Sequence, residues 1–200
     1  MMEKARVLKA ACLSLGAKQS DPSSESLLER VYDENVSCFC PRSLFAAFPV
    51  LFSSEGVCLE GTDVCLTGDS IKKHLDGASF ALLNAFTLGA LADKRIKELS
   101  YSRPSESVAL NAIASVYAEL AADEELQKER DAFAAKGLRT NFRFCPGYGD
   151  LSLLFNESVA RALNAAKKIG LSVTEGGLLL PRKSVVGIVG VFEKKADAGE

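Results

Sequence analysis

Residues 143 to 150 read Arg-Phe-Cys-Pro-Gly-Tyr-Gly-Asp and gather several groups able to hold a ligand. Gly147 and Gly149 flank Tyr148, so the backbone there can present N–H and C=O groups outward. Arg143 supplies a planar fork suited to a carboxylate. Tyr148 offers a ring face to an adenine or a cationic sulfonium, and a hydroxyl beside it. Asp150 accepts hydrogen bonds or caps the helix that follows. The same residues also read as a plain turn. In that reading Pro146-Gly147 bends the chain, Tyr148 packs, Asp150 is an N-cap and Arg143 is a surface charge.

Other chemistry finds less support. His74 is the only histidine, so no site with two or three histidines can be built within the chain, and no metal site is expected. It stands beside Lys72 and Lys73, where an exposed or capping role is expected. Nothing in the sequence pairs it with a nucleophile, and no residue is assigned a catalytic role. No G-x-x-x-x-G-K-[ST] run is present. Gly147-Tyr148-Gly149 resembles a dinucleotide turn only superficially. Ser152 occupies the third glycine position, and no strand–helix–strand unit surrounds it.

The elements that must position this segment belong to an ordinary globular chain. It has 200 residues, 48% hydrophobic and 25% charged, and a net charge of −2. That length suits one domain, 1–200, with a core that needs no staple. The balance of charge leaves no basic field for nucleic acid. No stretch approaches the roughly 18 apolar residues of a membrane span, and no leader is evident, so a cytoplasmic setting is expected. The six cysteines sit mostly in apolar contexts and are expected to be reduced structural thiols.

Residues 4–15 and 22–35 predict a helical pair, an N-terminal extension spanning 1–40. An apolar run follows at 44–52. A hairpin is expected from 57–59 and 64–66 around Glu60-Gly61-Thr62-Asp63, then a short helix at 71–75. Residues 79–87 fit a buried strand and 88–99 a helix. The helical spacing of Val108, Ala109, Ala112, Ile113, Val116 and Leu120 predicts a strong helix, continued or followed by another to 135. Residues 139–144 predict a strand and 151–169 contain a helix. Strands are expected at 171–174, 178–180 and 184–192, and 193–200 reads as a disordered tail. Strands and helices do not alternate strictly. The expected class is α+β, a mixed or antiparallel twisted sheet with helices packed around it.

Read together, the C-terminal third has a specific order. Arg143-x-x-Pro146-Gly147-Tyr148 is followed by a helix, then Ile169-Gly170-Leu171, Thr174-Glu175, Pro181 and Ser184-Val185-x-Gly187. This series, over about fifty residues, resembles the activation domain of cobalamin-dependent methionine synthase, which carries R-P-A-P-G-Y, a helix, G-x-x-L-T-E and S-V-S-G. The Pro-Gly-Tyr-Gly-Asp variant and Pro181-Arg182-Lys183-Ser184 look most like the short, free-standing members. Residues 44–122 fit those members in pattern, and 1–40 more loosely.

The resemblance implies binding of S-adenosylmethionine and docking on a cobalamin domain whose cofactor has been oxidised to cob(II)alamin. A flavodoxin-type protein would supply the electron. By position, the ligand-binding residues it implies are Arg143, Cys145, Gly147 and Tyr148, with Asp150 as a further candidate. Cys145 stands where the family has alanine and would contribute mainly its backbone. Two departures touch the ligand site: Gly137 to Phe142 contains no acid, and Val189 stands where the family has tyrosine. The D-x-H-x-x-G loop of the cobalamin module is absent, since Lys72 stands two residues before His74. The expectation is therefore a reactivation component acting in trans on a separate methionine synthase polypeptide or another corrinoid protein. Two alternatives remain open: an interaction module that has lost the nucleoside ligand, and an independent small-molecule methyltransferase.

Overall fold

The computed structural model describes residues 3–16 and 22–193. Six strands form one sheet in the order β3-β2-β1-β4-β8-β5, with every neighbouring pair antiparallel. They are β1 (Arg42–Phe52), β2 (Val57–Leu59), β3 (Cys65–Leu66), β4 (Phe80–Thr87), β5 (Leu138–Thr140) and β8 (Ser184–Glu193). A separate two-stranded ribbon pairs β6 (Ser172–Val173) with β7 (Leu179–Leu180). Helices α1 (Lys4–Ser14), α2 (Pro22–Asn35), α4 (Ala90–Ser102) and α5 (Pro104–Ala135) belong to one side. Helices α3 (Asp69–Leu75), α6 (Phe155–Ala162) and α7 (Ala165–Ile169) pack on the other. The α+β class with an antiparallel sheet is as expected.

β4 explains the layering. Its side chains alternate: Ala81, Leu83 and Ala85 join the core under α3, α6 and α7, while Leu82 and Phe86 point to the α5 side. Because helices cover both faces, the strand reads in sequence as an unbroken apolar run. β8 pairs with it along eight residues, from Phe80↔Val191 to Thr87↔Ser184. The two form the centre of the sheet.

α5 is one helix of 32 residues, about 48 Å long. Pro104 starts it, where the missing N–H is not needed. Its small residues Ala109, Ala112, Ala114 and Ala118 are buried and let α1, α2 and α4 approach closely. Buried Glu106 is held by Arg30 and Arg103, each at 2.9 Å.

Several expectations are corrected. The helix expected within 151–169 is present, but as two pieces, α6 and α7. Asn164 takes a left-handed conformation, φ 54°, and divides α6 from α7. Glu193 is the last residue of β8 and pairs with Leu138. The rest of the expected tail, 194–200, lies outside the described residues, as do 17–21. Cys58 and Cys65 form a disulfide, S–S 2.06 Å, because the β2–β3 register places them opposite each other with Cα atoms 3.9 Å apart. Of the other four, only Cys12 is buried. No described helix is long and apolar enough to cross a membrane.

Leu83 is fully buried on the central strand. Its replacement by alanine should lower the free energy of unfolding by about 2–5 kcal/mol, read from urea denaturation.

Candidate functional site

The chain leaving α5 does not run as a strand to Phe144. Regular pairing with β8 stops at Thr140: the Asn141 N–H still donates to the Gly190 carbonyl at 3.2 Å, but the Asn141 side chain replaces its own carbonyl as the acceptor. Asn141 Oδ1 accepts from the Gly190 N–H at 2.7 Å, and its carbonyl instead accepts from Arg130 Nη2 at 3.1 Å. Asn141 Nδ2 donates to the His74 carbonyl at 2.7 Å. The chain rejoins β8 at Phe144, which exchanges two backbone hydrogen bonds with Ile188, at 2.9 and 2.8 Å.

His74 is therefore no surface residue. The residue is 8% exposed, and its ring lies 4.7 Å from that of Phe142 and 5.0 Å from that of Phe144, centroid to centroid. Burial holds its pKa below the usual histidine value. It serves as an apolar support under the segment.

Arg143 crosses β8 directly over Gly187. A Cβ at Gly187 would collide with the Arg143 Cγ and lie 2.7 Å from its Cδ. Its Nη2 bonds Glu119 at 2.6 Å and approaches Asp123 at 3.3 Å, while only 10% of its side chain is exposed. Both carboxylates come from α5, one turn apart. Arg143 is thus paired with its own chain.

Beyond it, Cys145-Pro146-Gly147-Tyr148 closes a turn, the Tyr148 N–H donating to the Cys145 carbonyl at 3.0 Å. Pro146 sets the first corner, and Gly147, at φ 94°, takes the second as a type II turn requires. Gly149 approaches α3 so closely that a Cβ would lie 2.5 Å from Ser70 Oγ. Asp150 accepts from the backbone N–H groups of Asp69 and Ser70, at 2.6 and 3.0 Å. It caps α3, not the helix that follows it. A hydrogen bond from the Ser70 side chain foremost, then the backbone bonds from Ser70 and Asp69, hold its carboxyl below the usual aspartate range.

This loop forms one wall of a cleft of about 610 Å³. Cys145, Pro146 and Tyr148 line that wall, Thr174 and Gly177 to Leu180 the second, Ser184 to Val186 the floor, and Glu119, Arg182, Leu153 and Asn156 the remainder. Asn156 is buried and donates to the Gly177 carbonyl at 2.9 Å, tying the ribbon to α6. Tyr148 is 55% exposed, with its ring edge-on to Phe144. Burial pushes the Cys145 thiol up despite the Arg143 cation beside it. The thiol and burial in turn push the Tyr148 hydroxyl up. Both groups therefore stay protonated at neutral pH, and Cys145 is not held as a thiolate.

Of the residues expected at a site, Cys145 and Tyr148 line the cleft, and Gly147 shapes the turn between them. Arg143 stands behind Glu119, and Asp150 anchors the loop from the far side. Sequence reasoning missed Glu119, Asn156 and Arg182 as cleft residues. Glu119 and Asn156 carry no local signal, being helix positions brought in by packing. Arg182 lay within the quoted Pro181-to-Ser184 stretch, but without a role.

No protein-family model matches the chain, and no curated protein sequence matches it. The class its fold defines comes from solved structures. The fold is that of a methionine synthase reactivation domain. A structure described as the MetH reactivation domain bound to AdoHcy superimposes with a TM-score of 0.68, covering 96% of this chain and 76% of that one. The two are 13% identical in sequence, so the likeness is one of fold.

Two consequences can be measured. Gly187→Ala should destabilise the protein by about 1–3 kcal/mol in urea denaturation, since the Arg143 stem must leave its path. Asp150 has a depressed folded-state pKa, so the stability it contributes is present above about pH 4 and is lost as pH falls through the folded value. Asp150→Asn should therefore flatten the acid limb of a melting-temperature profile below about pH 4.

Proposed function

We propose that the chain binds S-adenosylmethionine in this cleft and acts as a reactivation component for a corrinoid methyltransferase, docking on a cobalamin domain of a separate polypeptide. One observation carries the reading. Residues from the motifs of the sequence resemblance, Cys145, Pro146 and Tyr148, Thr174, and Ser184-Val185, are far apart in the chain and line the same cleft. The fold neighbour bound to AdoHcy supports it.

The cleft fits such a ligand. Its volume lies within the roughly 300–1,000 Å³ of small-molecule sites, and its lining is mostly apolar with few polar groups. When bound, S-adenosylmethionine supplies a methyl group on a cationic sulfur. The exposed Tyr148 ring gives a face for adenine or for that sulfonium. The Cys145–Tyr148 turn contributes backbone groups and shape. Arg143 and Asp150 hold this wall in place, against α5 and α3 respectively. Leu178 and Leu180 are 61% and 44% exposed and, with Tyr148, form an apolar rim suited to a partner surface. The protein's contribution is positioning. The partner would hold the cobalamin, and a flavodoxin-type protein would supply the electron.

Isothermal titration with S-adenosylmethionine and S-adenosylhomocysteine tests the ligand. Wild type should bind saturably, and Tyr148→Ala about tenfold more weakly. No heat with either ligand in the wild type would remove the proposal. Sedimentation with a corrinoid-loaded methionine synthase fragment lacking its own activation domain tests docking. A complex is expected, and its absence defeats that part.

A further inference from the structure

We propose that the free edge of β1 is an interface between two copies of this chain. The copies pair antiparallel through Ser43, Phe45 and Ala47, about a two-fold axis at Phe45. None of these residues lines the cleft described above.

β1 has a neighbour on both sides over only part of its length. Arg42 to Pro49 pair with β4, but β2 pairs with Val50 to Phe52 alone. The edge from Arg42 to Phe48 faces no strand among the described residues. Along a strand, alternate residues direct their N–H and C=O to the same edge. The Pro49 carbonyl accepts from the Glu60 N–H at 3.0 Å, on the β2 side. Ala47, Phe45 and Ser43 point the same way, and their backbone groups have no partner on that edge among the described residues.

This edge is apolar and unguarded. No charged residue occurs from Ser43 to Phe52. Open edges are ordinarily blunted by lysine, proline or a bulge, because an apolar one recruits any strand it meets. Ala47 is exposed, and Ser43, Leu44, Phe45, Ala46 and Phe48 are half-buried.

The spacing of the prolines makes the edge complementary to itself. Pro41 and Pro49 have no N–H to donate, and the Pro49 carbonyl is already taken. They bracket Ser43, Phe45 and Ala47 symmetrically. A two-fold axis at Phe45 sets Ser43 against the partner's Ala47 and Phe45 against the partner's Phe45. Every free residue on both copies is then paired, by about six backbone hydrogen bonds. Moving the axis by one residue sets Ala47 against the partner's Pro41, or Ser43 against the partner's Pro49. The side chains agree with the same register. Phe45 lies on the α5 face with Leu82 and Leu126, and meets its own copy between the small Ser43 and Ala47. Leu44 and Ala46 lie on the other face, where Leu44 meets the partner's Ala46. Each patch contacts its own copy, as a closed two-fold dimer requires.

Sedimentation equilibrium and amide hydrogen exchange of the full chain, each over a range of concentrations, test the interface. A monomer–dimer equilibrium with a Kd of about 1–100 μM is expected, since a single-strand contact is small. On dilution the amides of Ser43, Phe45 and Ala47 should exchange at least about tenfold faster, while those of Leu44 and Ala46, directed at β4, stay protected. Ala47→Lys places a charge on the edge. It should weaken dimerisation at least about tenfold and leave the melting temperature of dilute, monomeric protein unchanged. A wild type still monomeric at about 1 mM overturns the interface. So does a dimer in which those three amides exchange freely, or an Ala47→Lys variant that dimerises as wild type does. Protection of the three amides only on adding the corrinoid-loaded synthase fragment would give the edge to a strand of that partner, and the second-copy assignment would be wrong.

Discussion

Arg143 passes over β8 at a position where only a glycine leaves room, and its guanidinium ends against two carboxylates of α5. The rest of the site depends on this crossing. It ties the irregular segment after α5 back to α5 itself, across the face of the central sheet. The ion pair has one nearly buried partner and two exposed ones. Its net contribution to stability is modest, but its geometry is specific. Taking away the arginine would free Glu119 and release the loop carrying Tyr148 from the helical layer.

The crossing is made possible by β8. Gly187 admits the Arg143 stem, and Gly190 admits the Asn141 carboxamide, whose Nδ2 would lie 3.1 Å from an added Cβ. Asn141 then satisfies the Gly190 N–H, and Phe144 resumes the backbone pairing three residues later. Few backbone groups are lost although the strand is interrupted, which is what allows a non-regular segment to sit on a buried sheet. On the far side Asp150 completes the attachment at α3. The loop is held at both ends by polar contacts, while its middle, Gly147 and Tyr148, faces the cleft.

The charge pattern around the cleft follows from the same arrangement. Arg143 Nη2 is paired with its own chain, while Nη1 is buried without a hydrogen-bond partner among the described residues. Arg182 and Glu119 are exposed charges among the lining residues. Cys145 and Tyr148 stay protonated there and add no charge.

The sequence by itself determined the class and most element boundaries. Local periodicity, the Pro-Gly turn and the order of motifs are properties of contiguous residues. The long helix α5 and the buried strand β4 were legible for that reason. What the sequence left undecided were relations between distant residues. His74 reads as exposed beside two lysines, yet Phe142 and Phe144 bury it. The pairing of Cys58 with Cys65 depends on hairpin register. The early end of the strand at Thr140 depends on an asparagine side chain meeting β8, and the helix break at Asn164 on a left-handed residue that asparagine tolerates. Above all, the sequence left open which partners within the chain Asp150 and Arg143 would find. Tertiary packing gave Asp150 to α3 and Arg143 to α5, because each found partners 80 and 24 residues away that no local pattern announces.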